Sequence, residues 1–158
     1  MEFTPIDPGE LRDGDLTLEF EDFAMHPVHH VPTYHFRMVK TGTDDVLGYI
    51  RLRLGSSPHI ERYAGHIGYS VEPEFRGHRY ATRSVRLLVQ LAALNGIDPL
   101  WITCDPENAA SKRTLELAGA EFVEIVEVPE DCIIRQSGHP RKCRYRLSTG
   151  TDTPQKLE

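Results

Sequence analysis

Four cationic or cation-capable side chains crowd one glycine in the stretch EPEFRGHRYATRSV, residues 72–85: Arg76, His78, Arg79 and Arg83 surround Gly77. The chain as a whole is acidic, with a formal net charge of −6 and a pI of about 5.7. The cluster falls where a strand pattern, HIGYSVE, gives way to helical periodicity at about Tyr80. A helix start carries N–H groups without partners and the positive end of the helix dipole. The amides near Arg79, Tyr80, Ala81 and Thr82 can converge on phosphate oxygens. Gly77 permits the tight turn and close approach. Arg76, with Arg79 or Arg83, adds charge-assisted contacts. A solvated basic helix start fits the same spacing about as well. Neither GxxxxGK[ST] nor GxGxxG occurs, so an NTPase or a dinucleotide fold has no support.

The elements that must position this cluster can be read from periodicity. Leu16, Leu18 and Phe20 alternate with polar residues, as do Tyr34, Phe36 and Met38. After the turn TGTDD, Ile50, Leu52 and Leu54 alternate with Arg51 and Arg53, which completes a hairpin signal. Residues 22–33, with two prolines and three histidines, read as an irregular connection, and 55–64 as a loop. A helix follows from about Tyr80 to Asn95, with Val85, Leu88 and Ala92 on one stripe and Gly96 as its stop. PLWITC is a strand. A second helix is capped by Asn108 and closed by Gly119. EFVEIVEV and a segment containing Cys143, Tyr145 and Leu147 are the last strands, with a long loop between them. Lys142, Arg144 and Arg146 alternate with that last set and read as a solvated face.

This order predicts an α+β fold with a mixed, mostly antiparallel sheet. One strand–helix–strand crossover, 65–72, 80–95 and 99–104, should be right-handed and parallel. With 158 residues, one domain over 15–148 is expected, preceded by an extension at 1–14 and followed by a disordered polar tail at 149–158. Three cysteines, Cys104, Cys132 and Cys143, without a CxxC pair indicate neither a disulfide framework nor a zinc site. The net charge argues against a nucleic-acid partner. The N-terminus reads as no secretory signal, and no apolar run is long enough to span a bilayer, so no membrane partner and a cytoplasmic location are expected. The histidines His26, His29, His30 and His35 lack the ligand pattern of a metal site and are expected to line or cover an acceptor pocket.

The order R-G-x-x-Y-A after a strand ending in EPEF, then N-A-A-S and G-A-x-F, resembles the GNAT superfamily of acyl-CoA-dependent N-acetyltransferases. The likeness is strongest over about 46–128. It implies acetyl-CoA as co-substrate, no metal, and direct transfer to a primary amine of a small molecule or peptide. It implies a splayed parallel strand pair, helices on both faces, and a pyrophosphate loop formed by Arg76, Gly77, His78, Arg79, Tyr80, Ala81 and Thr82. The pantetheine arm would pair with Tyr69, Ser70 and Val71, and Asn108 would also touch CoA. His66, at the start of the central strand, stands where a base is often found, and Ser111 can hydrogen-bond the sulfur.

Two residues depart from the family pattern. Arg79 replaces the inner glycine of the loop, and Leu115 replaces the usual tyrosine acid. They motivate the alternative of a non-catalytic acyl-CoA-binding module or sensor. A homodimer through the basic last strand and the loop 129–141 is a further expectation.

Overall fold

The computed structural model describes residues 4–150. Five strands form one sheet in sequence order: β1 (Leu11–Asp13), β2 (Leu16–Met25), β3 (Pro32–Lys40), β4 (Val46–Arg53) and β5 (Ile67–Val71). Helix α1 (Tyr80–Leu94) follows, then β6 (Leu100–Cys104), α2 (Ala109–Leu117), β7 (Glu121–Glu127), the short α3 (Ile133–Gln136) and β8 (Arg141–Leu147). Strands β6, β8 and β7 make a second sheet in that order. No helix among the described residues is long and apolar enough to cross a membrane.

The alternating strands put Leu16, Leu18, Tyr34, Phe36, Met38, Ile50 and Leu52 into one buried core with Val85, Leu88 and Leu91 of α1. Burying each such helix side chain contributes about 1.5–3 kcal/mol. Helix α1 is therefore anchored by its apolar stripe. It has no side-chain cap at its start.

Several expectations change. Leu11–Asp13 lies inside the proposed extension but pairs with β2. β2 runs on to Met25 and β3 starts at Pro32, so the irregular connection shrinks to 26–31. A register shift after Phe20 breaks the alternation, and Phe20 is exposed. Short helical turns occupy His59–Ala64 and Ile133–Gln136 within the two segments read as loops. Both predicted helices are present, and Asn108 caps α2 by accepting from the Ser111 N–H at 3.0 Å. Residues 151–158 of the expected tail lie outside the described residues, whereas Thr149 is tied to Asp98 and to the Ile97 carbonyl.

The crossover is present as β5–α1–β6, but its strands stand at the edges of two different sheets and every described ladder is antiparallel. At their starts the strands are joined by the His66 N–H donating to Trp101 O at 2.6 Å. The Trp101 N–H donates to the His66 imidazole at 2.9 Å. A side chain here takes a donor that a continuing ladder would give to backbone.

β8 lies between β6 and β7, so both of its edges are paired within this sheet. Nor is its basic face simply solvated. Arg144 is buried over the Trp101 ring, 3.9 Å from the centroid, and pairs with Glu124 at 2.6 Å.

Candidate active site

Ile67 and Tyr69 point toward the core side of β5, and beyond Val71 a short turn over Pro73–Phe75 leads into the glycine loop. Gly77 has φ +94°, a backbone state that glycine adopts without penalty. Arg79 caps α1 in the left-handed conformation, φ 62° and ψ 27°. That conformation costs a non-glycine residue about 1 kcal/mol. The first bond of the helix runs from the Arg83 N–H to the Arg79 carbonyl at 3.0 Å. The amides of Tyr80, Ala81 and Thr82 precede that ladder, and the positive end of α1 is open to an anion.

A cleft of about 390 Å³ lies against this helix start. Tyr69, Ser70 and Val71 form one wall. Arg76, Gly77, Arg79, Tyr80 and Ala81 form its loop end, and Asn108 and Ser111 come from α2. His78 and Thr82 face an adjoining cleft instead, which they share with Arg79 and with Arg12 and Arg86. The Thr82 hydroxyl donates to the Thr114 carbonyl at 3.1 Å. Arg76 folds back, its Nε donating to Val71 O at 3.1 Å. Arg83 is engaged elsewhere: it pairs with Asp13 at 2.8 Å and with Asp15 at 2.7 Å, and so ties α1 to the β1–β2 hairpin. Of the four cations read from the sequence, Arg76 and Arg79 line the cleft at the helix start, His78 faces the adjoining one and Arg83 is engaged by carboxylates.

At the other end of the cleft, the Tyr69 hydroxyl donates to Ser111 Oγ at 3.2 Å. Burial raises the Tyr69 pKa, so the phenol keeps its proton at neutral pH. Leu115 is fully buried in the core and offers nothing to the cleft. A phenol nevertheless reaches this region, from a strand instead of from α2. Sequence reasoning gave Tyr69 only a backbone role; its alternation with Ile67 and Val71 was the available signal.

His66 is misplaced as a base. It is 1% exposed and lines a separate cavity with Gly55 and Pro99. Its Nδ1 accepts from the Trp101 N–H, which makes Nε2 the donor to Gly55 O at 2.9 Å. Burial holds its pKa below the ordinary imidazole value. Both nitrogens are occupied by backbone, so its role is to join β5 to β6. Of the histidines read at 26–35, His26 and His29 line a cleft of about 270 Å³ together with Arg51, Arg53, His139 and Lys142, while His35 pairs with Asp22 at 2.8 Å. Among the described residues no group of three or more His, Cys, Asp or Glu side chains is arranged to hold a metal.

Residues 1–121 match the family model of the acetyltransferase (GNAT) domain, and the chain belongs to that family. Solved structures share its fold. A probable GNAT acetyltransferase from Chromobacterium violaceum aligns with TM-score 0.65 at 16% identity, covering 94% of this chain and 90% of that one. The ribosomal L7/L12 α-N-protein acetyltransferase RimL, in a complex with coenzyme A, aligns with TM-score 0.65 at 13% identity, covering 91% and 100%. The microcin C7 self-immunity acetyltransferase MccE, in complex with acetyl-CoA and AMP, aligns with TM-score 0.56 at 16% identity over 73% of this chain; this chain spans 61% of that one. No match was found among curated protein sequences.

Proposed function

We propose that this protein transfers an acetyl group from acetyl-CoA to a primary amine of a small molecule or peptide, by direct attack of the amine on the thioester. The observation that carries the reading is the uncapped start of α1, open onto a cleft walled by β5 and α2. The amides of Tyr80, Ala81 and Thr82, with Arg76 and Arg79, suit the CoA diphosphate. Tyr69, Ser70 and Val71 supply strand backbone to the pantetheine, and Asn108 closes the α2 side. Two fold relatives carry CoA or acetyl-CoA in their structures, which supports the same assignment.

In the reaction the amine nitrogen bonds to the carbonyl carbon, the C–S bond breaks, the nitrogen loses a proton and the thiolate gains one. A free thiol has a pKa of roughly 8.5, so the departing sulfur needs only modest help. On this reading the Ser111 hydroxyl, which accepts from the Tyr69 phenol at 3.2 Å, gives it. With His66 occupied, the amine's proton needs another acceptor. His139 is the candidate: Asp105 holds its Nδ1 at 2.7 Å, which leaves Nε2 for the substrate. Burial pushes the Asp105 carboxyl up, but the bonds from His139 and Lys142 outweigh it and hold the group below its ordinary value.

The test is release of free thiol from acetyl-CoA over a panel of polyamines, aminoglycosides, amino acids and peptides, beside calorimetry with CoA. CoA binding without turnover on any amine would favour the sensor, the reading suggested by Leu115; no heat at millimolar CoA would reject both. In the same assay Tyr69→Phe should lower kcat roughly tenfold with little change in the KM for acetyl-CoA. His139→Asn should lower kcat for amine acceptors while leaving the heat of CoA binding unchanged. An unchanged kcat would remove His139 from the mechanism.

A further inference from the structure

On β4, Arg51 and Arg53 flank the buried Leu52 and so face away from the core that α1 covers. Arg53 is only 6% exposed. Its Nη1 donates to the carbonyls of Ala64 at 3.1 Å and Gly65 at 2.9 Å, while its Nε is buried without a partner among the described residues. Arg51 is half-buried, and its guanidinium has no hydrogen bond or ion pair among the described residues. Both guanidinium groups converge on Gly68. A Cβ at that position would stand 2.7 Å from Arg53 Nη2 and 3.5 Å from Arg51 Nε. Glycine at 68 keeps the room that the two cations occupy.

The surrounding charges do not answer them. In the same cleft Lys142 is paired with Asp105 at 3.2 Å, and that carboxylate also holds His139. Asp22 reaches His35, the cross-strand neighbour of Arg51, at 2.8 Å. Burial, then the neighbouring Arg51, push the Arg53 pKa down to about 10. Burial, then Arg53, hold His26 at about 4 and His29 at about 3, so both are neutral hydrogen-bonding groups at pH 7. Two close, partly desolvated cations with no counter-charge among the described residues are costly unless an anion joins them. A planar guanidinium pair matches the oxygens of a carboxylate or phosphate.

We propose that this cleft seats the acceptor, and that Arg51 and Arg53 hold an oxyanion group, carboxylate or phosphate, carried by the acceptor beside its amine. The inference rests on the donor-site reading above. Gly68 borders the arginines and the next residue, Tyr69, lines the donor cleft, so alternation along β5 sets donor and acceptor on opposite faces of one strand.

The experiment first measures CoA heat on the wild type and on Arg51→Gln, whose partly exposed position makes it the safer variant for folding. With CoA saturating and its anion site filled, inorganic phosphate and acetate are titrated against thermal unfolding. Phosphate or acetate should raise the wild-type Tm, and the rise should shrink in Arg51→Gln. Matched acceptors, ethanolamine against phosphoethanolamine and β-alaninamide against β-alanine, then separate phosphate from carboxylate. One anionic member should have at least a roughly tenfold higher kcat/KM, reduced toward parity in Arg51→Gln, as loss of a charged hydrogen bond implies. CoA heat together with equal anion protection of both proteins, or with parity in the wild type, overturns this proposal alone. Absence of CoA heat overturns the donor reading and this proposal with it.

Discussion

The start of α1 offers an anion three backbone amides, whereas the Arg51–Arg53 cleft offers it two guanidinium groups. In the first, the strain is local: Gly77 and Arg79 take left-handed backbone, and Arg79 has a side chain where glycine would be easier. In the second, the cost is desolvation of like charges brought together from alternate positions of one strand. A site made of backbone is nearly independent of which side chains surround it. A site made of side chains exists only once β4, β5 and the turn at His59–Ala64 have packed, because Arg53 is held by the carbonyls of that turn's end.

The contrast can be broken most sharply at Gly77. Gly77→Val forces a β-branched residue to φ near +94°, and CoA affinity should fall by roughly a hundredfold, with acceptor-side anion protection retained. Calorimetry for CoA and thermal shift for phosphate measure the two separately; equal losses at both would mean that the sites are not independent. Arg79→Gly should act in opposite directions on fold and binding. Relief of the left-handed strain should stabilise the protein by about 1 kcal/mol. CoA binding should weaken and become less salt-dependent as a cation is lost. A lower Tm, or an unchanged salt slope, would place the Arg79 side chain elsewhere.

The smallest effect concerns acid. The folded pKa values of His26 and His29, about 4 and about 3, lie below the unfolded value near 6.5. The unfolded chain therefore binds more protons between those limits, and stability present above pH 6.5 should decline as the pH falls toward 4. Replacing His29 with Asn should make that decline in Tm shallower. The same slope in both proteins would show that the two imidazoles are less shielded than their surroundings indicate.

Much of the cleft at the start of α1 was legible in the sequence. R-G-H-R-Y-A after a strand and before a helix fixes a turn, an uncapped helix start and its cations within a few residues of one another. The left-handed state of Arg79 could be anticipated because its position in the loop normally takes glycine. Arg83 could not be placed, since its partners Asp13 and Asp15 lie some seventy residues earlier in the chain. His66 misled because a histidine opening a strand looks available, and only the fold reveals that Trp101 and Gly55 take both of its nitrogens.

The sequence by itself determined most of the strands, helices α1 and α2, the glycine turn before α1 and the family resemblance, because each depends on periodicity or on neighbours a few positions apart. The tertiary structure alone decided that β5 and β6 part after one backbone bond, and that a phenol from β5 meets the hydroxyl of Ser111. It also decided that Arg51 and Arg53 meet over Gly68 with no carboxylate partner among the described residues. Those outcomes depend on side chains converging from distant segments, and on which polar groups lose water when they do. Local pattern carries no record of either.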